Sequence, residues 1–353
     1  MKRIVLTGGG TAGHVTPNIA LIPQLQKEGF EVHYIGSYEG IESKLIGEMD
    51  IPYYAIATGK LRRYFDVKNF TDPFRVIKGC AQADSLLKKI KPDIVFSKGG
   101  FVSVPVVLAA KRRGIPAVIH ESDMTPGLAN KISIPCATKV CTNFPETVEH
   151  LPANKAVLTG SPLRKELFSG DKKAGLKFCG FTSDKPVILI IGGSLGSVVI
   201  NNAVRAILPK LLENFQIIHL CGKDKLDESL VGTPGYIQFE YIQKELSNLL
   251  DAADLVISRA GANAICELLA LAKPNILIPL SAAASRGDQI LNAASFEKQG
   301  YSYVIQEEEL TDENLIKAVE NVFANRESYI RTMKESSAND AVDKIIDILK
   351  ELA

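Results

Sequence analysis

Short apolar runs alternate with amphipathic stretches along the whole chain. The first half contains RIVLTG, EVHYIG, PYYAIA, DIVFSKGG, AVIHES, KVCTNF and AVLTGS. The second contains VILIIGGS, QIIHLCG, YIQFEYI, DLVISRAG, NILIPL and YSYVI. Several of these are apolar at almost every position, the pattern of a strand covered on both faces, which predicts a parallel sheet. Between them, stretches such as VIKGCAQADSLLKKIK and LTDENLIKAVENVFANRESYI place apolar residues at three-and-four spacing and predict helices. Such alternation predicts a doubly wound α/β architecture.

The two halves echo each other in order. RIVLTGGG resembles VILIIGGS, DIVFSKGG resembles DLVISRAG, and PAVIHES resembles PNILIPLS. At 353 residues the chain is long enough for two domains. Two similar Rossmann-like domains are therefore expected, with the carboxyl ends of their strands turned to a shared deep cleft where ligands of this fold class bind. The boundary is expected near Gly160-Ser161-Pro162. A last helix around Ala341 to Leu352 has apolar Val342, Ile345, Ile346, Leu349 and Leu352, a face that could dock on either domain.

Composition narrows the class. The hydrophobic fraction is 46% and the charged fraction 23%, which excludes disorder and fibrous repeats. No apolar run approaches the ~18 residues of a membrane span. Met1-Lys2-Arg3 opens like a signal peptide, but the apolar stretch that follows is too short for one. The six cysteines are scattered without a Cys-x-x-Cys, so a reducing cytoplasm is expected rather than a disulfide framework. The net charge of +1 hides an asymmetry. Residues 1–161 carry 20 Lys and Arg against 14 Asp and Glu, an excess of +6; residues 162–353 carry 21 against 26, or −5. Much of the excess lies between Lys60 and Lys78, where Arg62, Arg63, Tyr64, Phe65, Phe70 and Phe74 interleave cations with rings. That chemistry suits an anionic membrane surface; its alternative is a solvated loop and a helix whose rings face the core. Nucleic acid is the weakest reading of it.

Three glycine or small-residue turns carry the candidate chemistry. Gly8-Gly9-Gly10-Thr11-Ala12-Gly13-His14 follows a strand and opens a helix, a place where backbone N–H groups approach an anion. It satisfies G-x-G-x-x-G, but a dehydrogenase would want an acidic residue ending the second strand, and EVHYIGS ends in Gly36-Ser37. Gly192-Gly193-Ser194-Leu195-Gly196-Ser197 is a second phosphate cradle and no Walker motif. Ser258-Arg259-Ala260-Gly261-Ala262-Asn263-Ala264 leads to Glu267, whose carboxylate either takes ribose hydroxyls or is a helix-start charge favoured by the dipole. Asp288 and Gln289 follow on a further loop, able to bind sugar hydroxyls or to cap a helix. Of five histidines, His14 lies at the mouth of the first turn and is the functional candidate. His120 ends a strand; His33, His150 and His219 read as structural. No His, Cys or Asp cluster has metal-ligand spacing.

In order along the chain, GGTAGH, SKGGFVSVP, HES, GLANK, GSPLR, GGSLGS, RAGANAICE and GDQILNA resemble the MurG family of bacterial cell-wall N-acetylglucosaminyltransferases. The resemblance spans nearly the whole chain. It implies the GT-B fold, with residues 1–161 plus 336–353 as an acceptor and membrane-associating domain and 162–335 as the UDP-GlcNAc-binding domain. It implies inverting transfer of GlcNAc from UDP-GlcNAc to the 4-hydroxyl of MurNAc in lipid I, giving lipid II at the cytoplasmic membrane face. The implied partners are UDP-GlcNAc, lipid I, the anionic membrane surface and other cell-wall enzymes, without nucleic acid. No bound catalytic metal or other cofactor is implied; a divalent cation would at most stimulate.

Carried over residue by residue, Ser194 and the backbone of Ala262, Asn263 and Ala264 would meet the diphosphate. Glu267 would hold the ribose, and backbone near Ile242 would read uracil. Gln289, Arg164 and Thr11, Ala12 and Gly13 would meet the sugar. The first glycine turn would meet the acceptor diphosphate, and His14 would be the general base. Three places depart from the family pattern. Ala12 stands for a glycine, Ser122-Asp123 for Gln-Asn, and Asp288 for the first of two glutamines. Rival readings are a GT-B transferase using a diacylglycerol acceptor, a UDP-GlcNAc epimerase, and a weakly active paralogue that binds the lipid-linked precursor.

Overall fold

The computed structural model describes residues 1–59, 68–193, 195–283, 287–336 and 340–353, with backbone alone for 68–73. It divides into two units, Met1–Arg164 with Asn339–Ala353, and Lys165–Ala338.

The first unit holds seven parallel strands: β1 (Arg3–Thr7), β2 (Glu31–Ser37), β3 (Tyr53–Ile56), β4 (Ile94–Ser97), β5 (Ala117–Glu121), β6 (Lys139–Thr142) and β7 (Ala156–Leu158). Their order is β3-β2-β1-β4-β5-β6-β7. Alternation along each strand sends side chains to opposite faces. On one face Ile4, Leu6 and Phe96 pack with Leu21, Ile22 and Leu25 of the helix Thr16–Lys27. On the other, Val5, Ile35 and Val95 pack with Leu87 and with Val106 and Val107 of the helix Ser103–Arg112. Both faces are apolar because both are covered.

The chain returns to this unit at its end. The helix Ala341–Leu352 buries Ile345, Ile346 and Leu349 against the same core as Ile4 and Leu6. Full burial of each such side chain is worth about 1.5–3 kcal/mol. Lys350 Nζ reaches Glu28 at 2.6 Å at the edge of the contact. The amphipathic pattern of residues 342–352 thus resolves to the first unit.

The second unit holds β8 (Val187–Ile191), β9 (Gln216–Leu220), β10 (Tyr236–Phe239), β11 (Leu255–Ser258), β12 (Asn275–Leu277) and β13 (Tyr303–Val304), ordered β10-β9-β8-β11-β12-β13. Ile188, Ile190, Ile217, Leu255, Ile257 and Ile276 build its core. Counted within each unit, both sheets share the strand order 3-2-1-4-5-6, the Rossmann order. The echoed segments fall in matching places: β1 with β8, β4 with β11, β5 with β12. The order reverses between β1 and β4, and again between β8 and β11. Such switch points are where this architecture binds ligands.

Candidate active site

At the first switch point, β1 runs into Gly8–Gly10 and then a single helical turn, Ala12–His14, before the helix Thr16–Lys27. Crowding explains the glycines. A Cβ on Gly8 would lie 2.6 Å from the His14 carbonyl oxygen, and Gly10 has φ +86°. The half-buried His14 ring lies with Nδ1 3.2 Å from the Gly9 carbonyl oxygen and 3.1 Å from Thr11 Oγ1. A carbonyl can only accept, so this contact assigns the proton to Nδ1 and leaves the Nε2 lone pair available. Burial, and after it the Lys98 ammonium, push the imidazole down to about 4; Gly9 and Glu42 pull weakly the other way. His14 is therefore neutral at pH 7, in the state a proton acceptor needs.

The first turn differs from a simple phosphate cradle. Gly10 N–H donates to Glu42 Oε2 at 3.0 Å, so a carboxylate of the chain itself takes that amide. Glu42 is fully buried at the start of the helix Ile41–Gly47. Its other oxygen accepts from Ser37 N at 3.1 Å and Ser37 Oγ at 2.5 Å. The acidic residue missing from the end of β2 is thus supplied five residues later and turned onto the glycine turn.

Beneath the turn, Lys98 follows β4 and is 1% exposed. Its Nζ donates to His120 Nδ1 at 2.9 Å and to Ser122 Oγ. His120 Nε2–H then donates to the Gly160 carbonyl at 2.9 Å, joining the ends of β5 and β7. Burial, reinforced by Lys98, holds His120 well below the usual imidazole range. Glu121 is pushed up by burial while it accepts from Asn130 Nδ2 at 2.8 Å, Asp123 N at 3.0 Å and Gly127 N at 3.1 Å. Asp123 itself is half-buried, as is Arg164 at the end of the unit. Where the family pattern has Gln-Asn, Ser122 Oγ accepts from Lys98 and the Asp123 N–H donates to Glu121.

At the second switch point, the helix Ala262–Ala270 starts directly after β11, with Gly261 as its cap. An α-helix leaves its first N–H groups without intrahelical acceptors, and here these belong to Ala262, Asn263 and Ala264. They carry the positive end of the helix dipole. Glu267 stands half-buried on the same helix, about 7.5 Å further along its axis at the usual rise. The β8 turn is tied to this helix start. Arg259 Nη2 donates to Ser197 Oγ at 2.7 Å, and Ser197 caps the helix Val198–Ala206 by accepting from Ile200 N. Arg259 also donates to the carbonyls of Ile278 and Pro279 beyond β12, at 3.1 and 3.2 Å, and pairs with Glu307. Asp288 and Gln289 open the helix Asp288–Lys298, and Gln289 Oε1 accepts from Leu280 N at 3.0 Å. Ile242 is half-buried beyond β10.

The structure therefore gathers Thr11, Ala12, Gly13 and His14 at one switch point. Ala262, Asn263, Ala264 and Glu267 sit at the other, with Asp288, Gln289 and Ile242 on loops that follow neighbouring strands. Ser194, Arg62, Arg63, Tyr64 and Phe65 lie outside the described residues, and so does the side chain of Phe70. On the helix Lys68–Ile90, Phe74 and Ile77 are 74% and 67% exposed, and Arg75 and Lys78 are exposed beside them. His219 is structural: buried, with Nε2–H on Asn201 Oδ1 at 3.0 Å and Nδ1 accepting from Tyr236 Oη at 2.9 Å. Sequence reasoning assigned no role to Glu42, Lys98 or Arg259. The last two lay inside quoted motifs, and Glu42 was signalled by glycines at 36 and 40 that leave room for its carboxylate.

Among the described residues, no helix is long and apolar enough to cross a membrane, and no group of three His, Cys, Asp or Glu is placed to hold a metal ion. Residues 4–142 match the N-terminal domain of glycosyltransferase family 28, and residues 187–348 match its C-terminal domain. The chain is 68% identical over its full length, and 99% of the relative's, to a protein of Lachnoclostridium phytofermentans. That relative is named UDP-N-acetylglucosamine--N-acetylmuramyl-(pentapeptide) pyrophosphoryl-undecaprenol N-acetylglucosamine transferase. It is 64% identical to the protein of the same name from Lachnospira eligens, over 99% of both chains. Among solved structures, Acinetobacter baumannii MurG matches with a TM-score of 0.77 at 27% identity, over 99% of this chain and all of that one.

Proposed function

The chain belongs to glycosyltransferase family 28, and from that membership we infer that it transfers N-acetylglucosamine from UDP-N-acetylglucosamine to undecaprenyl-pyrophosphoryl-MurNAc-pentapeptide, the step that forms lipid II. The observation that carries the donor half is the helix Ala262–Ala270, whose N-terminal end, the positive end of its dipole, stands at the β8/β11 switch point with Glu267 on the same helix.

In this reading the second unit holds the donor. The N–H groups of Ala262, Asn263 and Ala264, with Ser194, take the diphosphate, and their dipoles stabilise the charge that grows on UDP as it leaves. Glu267 accepts the ribose hydroxyls, backbone near Ile242 reads the uracil, and Asp288 and Gln289 meet the sugar. In the first unit, Thr11, Ala12, Gly13, Asp123 and Arg164 are the residues for substrate. There the acceptor 4-hydroxyl gives its proton to His14 Nε2 as its oxygen attacks the anomeric carbon, and the configuration inverts. The reaction draws its charge stabilisation from backbone dipoles and side chains, so a chelator is expected to slow it less than threefold.

The first unit also meets the membrane. Exposed Phe74 and Ile77 beside Arg75 and Lys78 make the described part of a surface that pairs rings with cations. The enzyme then works as a peripheral protein at the cytoplasmic face, where other cell-wall enzymes would also find it. Binding to anionic liposomes should weaken with salt, and equal binding to neutral liposomes would move the contact to another surface.

The deciding assay is lipid II formation from lipid I and labelled UDP-GlcNAc. Glu267→Ala should raise the donor KM, and an unchanged KM would remove the ribose role. A chain that binds UDP-GlcNAc yet glycosylates diacylglycerol instead would overturn the acceptor.

A further inference from the structure

One peptide bond lies between His14 and Glu42. The carbonyl of Gly9 accepts from His14 Nδ1 at 3.2 Å, and the N–H of the same peptide, on Gly10, donates to Glu42 Oε2 at 3.0 Å. A carboxylate, a peptide dipole and an imidazole are therefore in series, each oriented to strengthen the next. The surroundings leave room for this arrangement and little else. A Cβ on Gly9 would come within 2.4 Å of the Glu42 carboxyl carbon, and one on Gly40 within 2.2 Å of Oε1. A Cβ on Gly100 would lie 2.3 Å from the Gly9 oxygen and 3.2 Å from His14 Nδ1. Ser37 donates twice to the remaining carboxylate oxygen and fixes its rotation.

We propose that Glu42 is a positioning residue for His14, acting through the Gly9–Gly10 peptide to hold Nδ1–H inward and Nε2 outward and to support the imidazolium that forms during transfer. This rests on His14 being the base. As the acceptor oxygen bonds to the anomeric carbon, the bond from that carbon to UDP breaks and UDP keeps its electrons. The acceptor proton moves to Nε2 and the Nδ1 proton stays where it is. The arrangement does the work of a His–carboxylate dyad with a polarised peptide interposed. Among the described residues, Glu42 from the helix after β2 acts on the imidazole, as does Lys98 from the end of β4 with the opposite sign. Around Glu42 itself stand the hydroxyls of Tyr34 and Tyr53, both pushed up by burial and further by the carboxylate.

The test uses the full-length enzyme with lipid I and UDP-GlcNAc: wild type, Glu42→Gln, His14→Ala and the double variant, with ¹⁵N-histidine spectra of each. Glu42→Gln should lower kcat about 30-fold, less than the ~100- to 10,000-fold of the proton-transfer group itself because the base is mispositioned and not removed, while the UDP-GlcNAc KM stays within about twofold. On the His14→Ala background the same substitution should cost less than about twofold, since two residues acting as a unit are not additive. The His14 resonances should move from the Nδ1–H form towards Nε2–H. Glu42→Asp, which keeps the charge on a shorter arm, should retain the Nδ1–H form and more kcat than the glutamine variant. A loss that repeats in full on the His14→Ala background would overturn the proposal and leave Glu42 a brace of the fold. If His14→Ala turns over normally, the base reading falls by itself. The spectra then judge Glu42 alone: a displaced tautomer supports the positioning role and an unaltered one ends it. Should Glu42→Gln fail to fold, the Asp variant carries the comparison, and a loss of the Nδ1–H form with charge retained would count against the proposal.

Discussion

The two switch points share a strand order but are braced by opposite charges. In the first unit an acid, Glu42, takes an amide of the glycine turn, and a buried lysine lies below it. In the second, Arg259 holds the Ser197 cap and two carbonyls beyond β12. The acid consumes a donor that would otherwise face an anion. The arginine satisfies acceptors around the start of the Ala262–Ala270 helix. Equivalent places in one topology are thus built differently: an imidazole held with Nδ1–H on a backbone carbonyl in the first unit, a helix start braced by a buried arginine in the second.

The largest expected effect separates the two turns by what crowds them. Gly196 has φ +69°, and a Cβ there would lie 1.9 Å from the Cys221 carbonyl oxygen, which is backbone and cannot step aside. Gly196→Ala should cost about 4 kcal/mol from overpacking and left-handed strain together, read as a fall in urea midpoint. Gly9→Ala meets a side-chain carboxylate instead, and should cost about 2 kcal/mol while displacing Glu42. Equal losses would erase the distinction. Arg259→Met should destabilise by about 3 kcal/mol, chiefly because it leaves Glu307 without its ion-pair partner, and the loss should shrink without vanishing when Glu307 is changed to Gln as well, because Ser197 and the Ile278 and Pro279 carbonyls still lose their donor.

Glu267→Ala should raise the donor KM about 30-fold, the worth of a hydrogen bond to a charged group, with kcat little changed. The smallest effect concerns acid. His14 and His219 titrate at about 4 and about 3 in the folded chain, both driven down chiefly by burial. The unfolded chain binds protons near 6.5, so it holds more of them than the folded chain below that pH. Stability is therefore full above pH 6.5 and falls as pH drops towards 4. His219→Gln should flatten that slope by up to about one proton's share, measured as melting temperature against pH. A slope unchanged by the substitution would mean that His219 is not buried neutral.

Much of the fold was legible because it is written in local pattern. Near-continuous apolar runs gave the strands, and the paired motifs RIVLTGGG and VILIIGGS foretold the matched β1 and β8. The helix 341–352 declared its apolar face but not its destination, since amphipathicity says that a face is buried and not against what. The site was half legible. Glycine turns and the Arg259 motif marked the switch points, and His14 stood out by its place. Glu42 did not, because its role depends on a fold-back from the helix after β2 onto a turn 32 residues earlier. Lys98 was equally silent: a lysine reads as surface until the packing around it is known, and here it is 1% exposed.

The central claim, that the first unit supplies the base and the second holds the donor, is tested most directly by one steady-state experiment. Lipid II formation is followed against UDP-GlcNAc concentration for wild type, His14→Ala and Glu267→Ala. The account predicts a kcat loss of about 100- to 10,000-fold for His14→Ala with UDP-GlcNAc affinity intact, and a defect confined mainly to KM for Glu267→Ala. A His14 variant with full turnover, or one that loses only donor affinity, would contradict it.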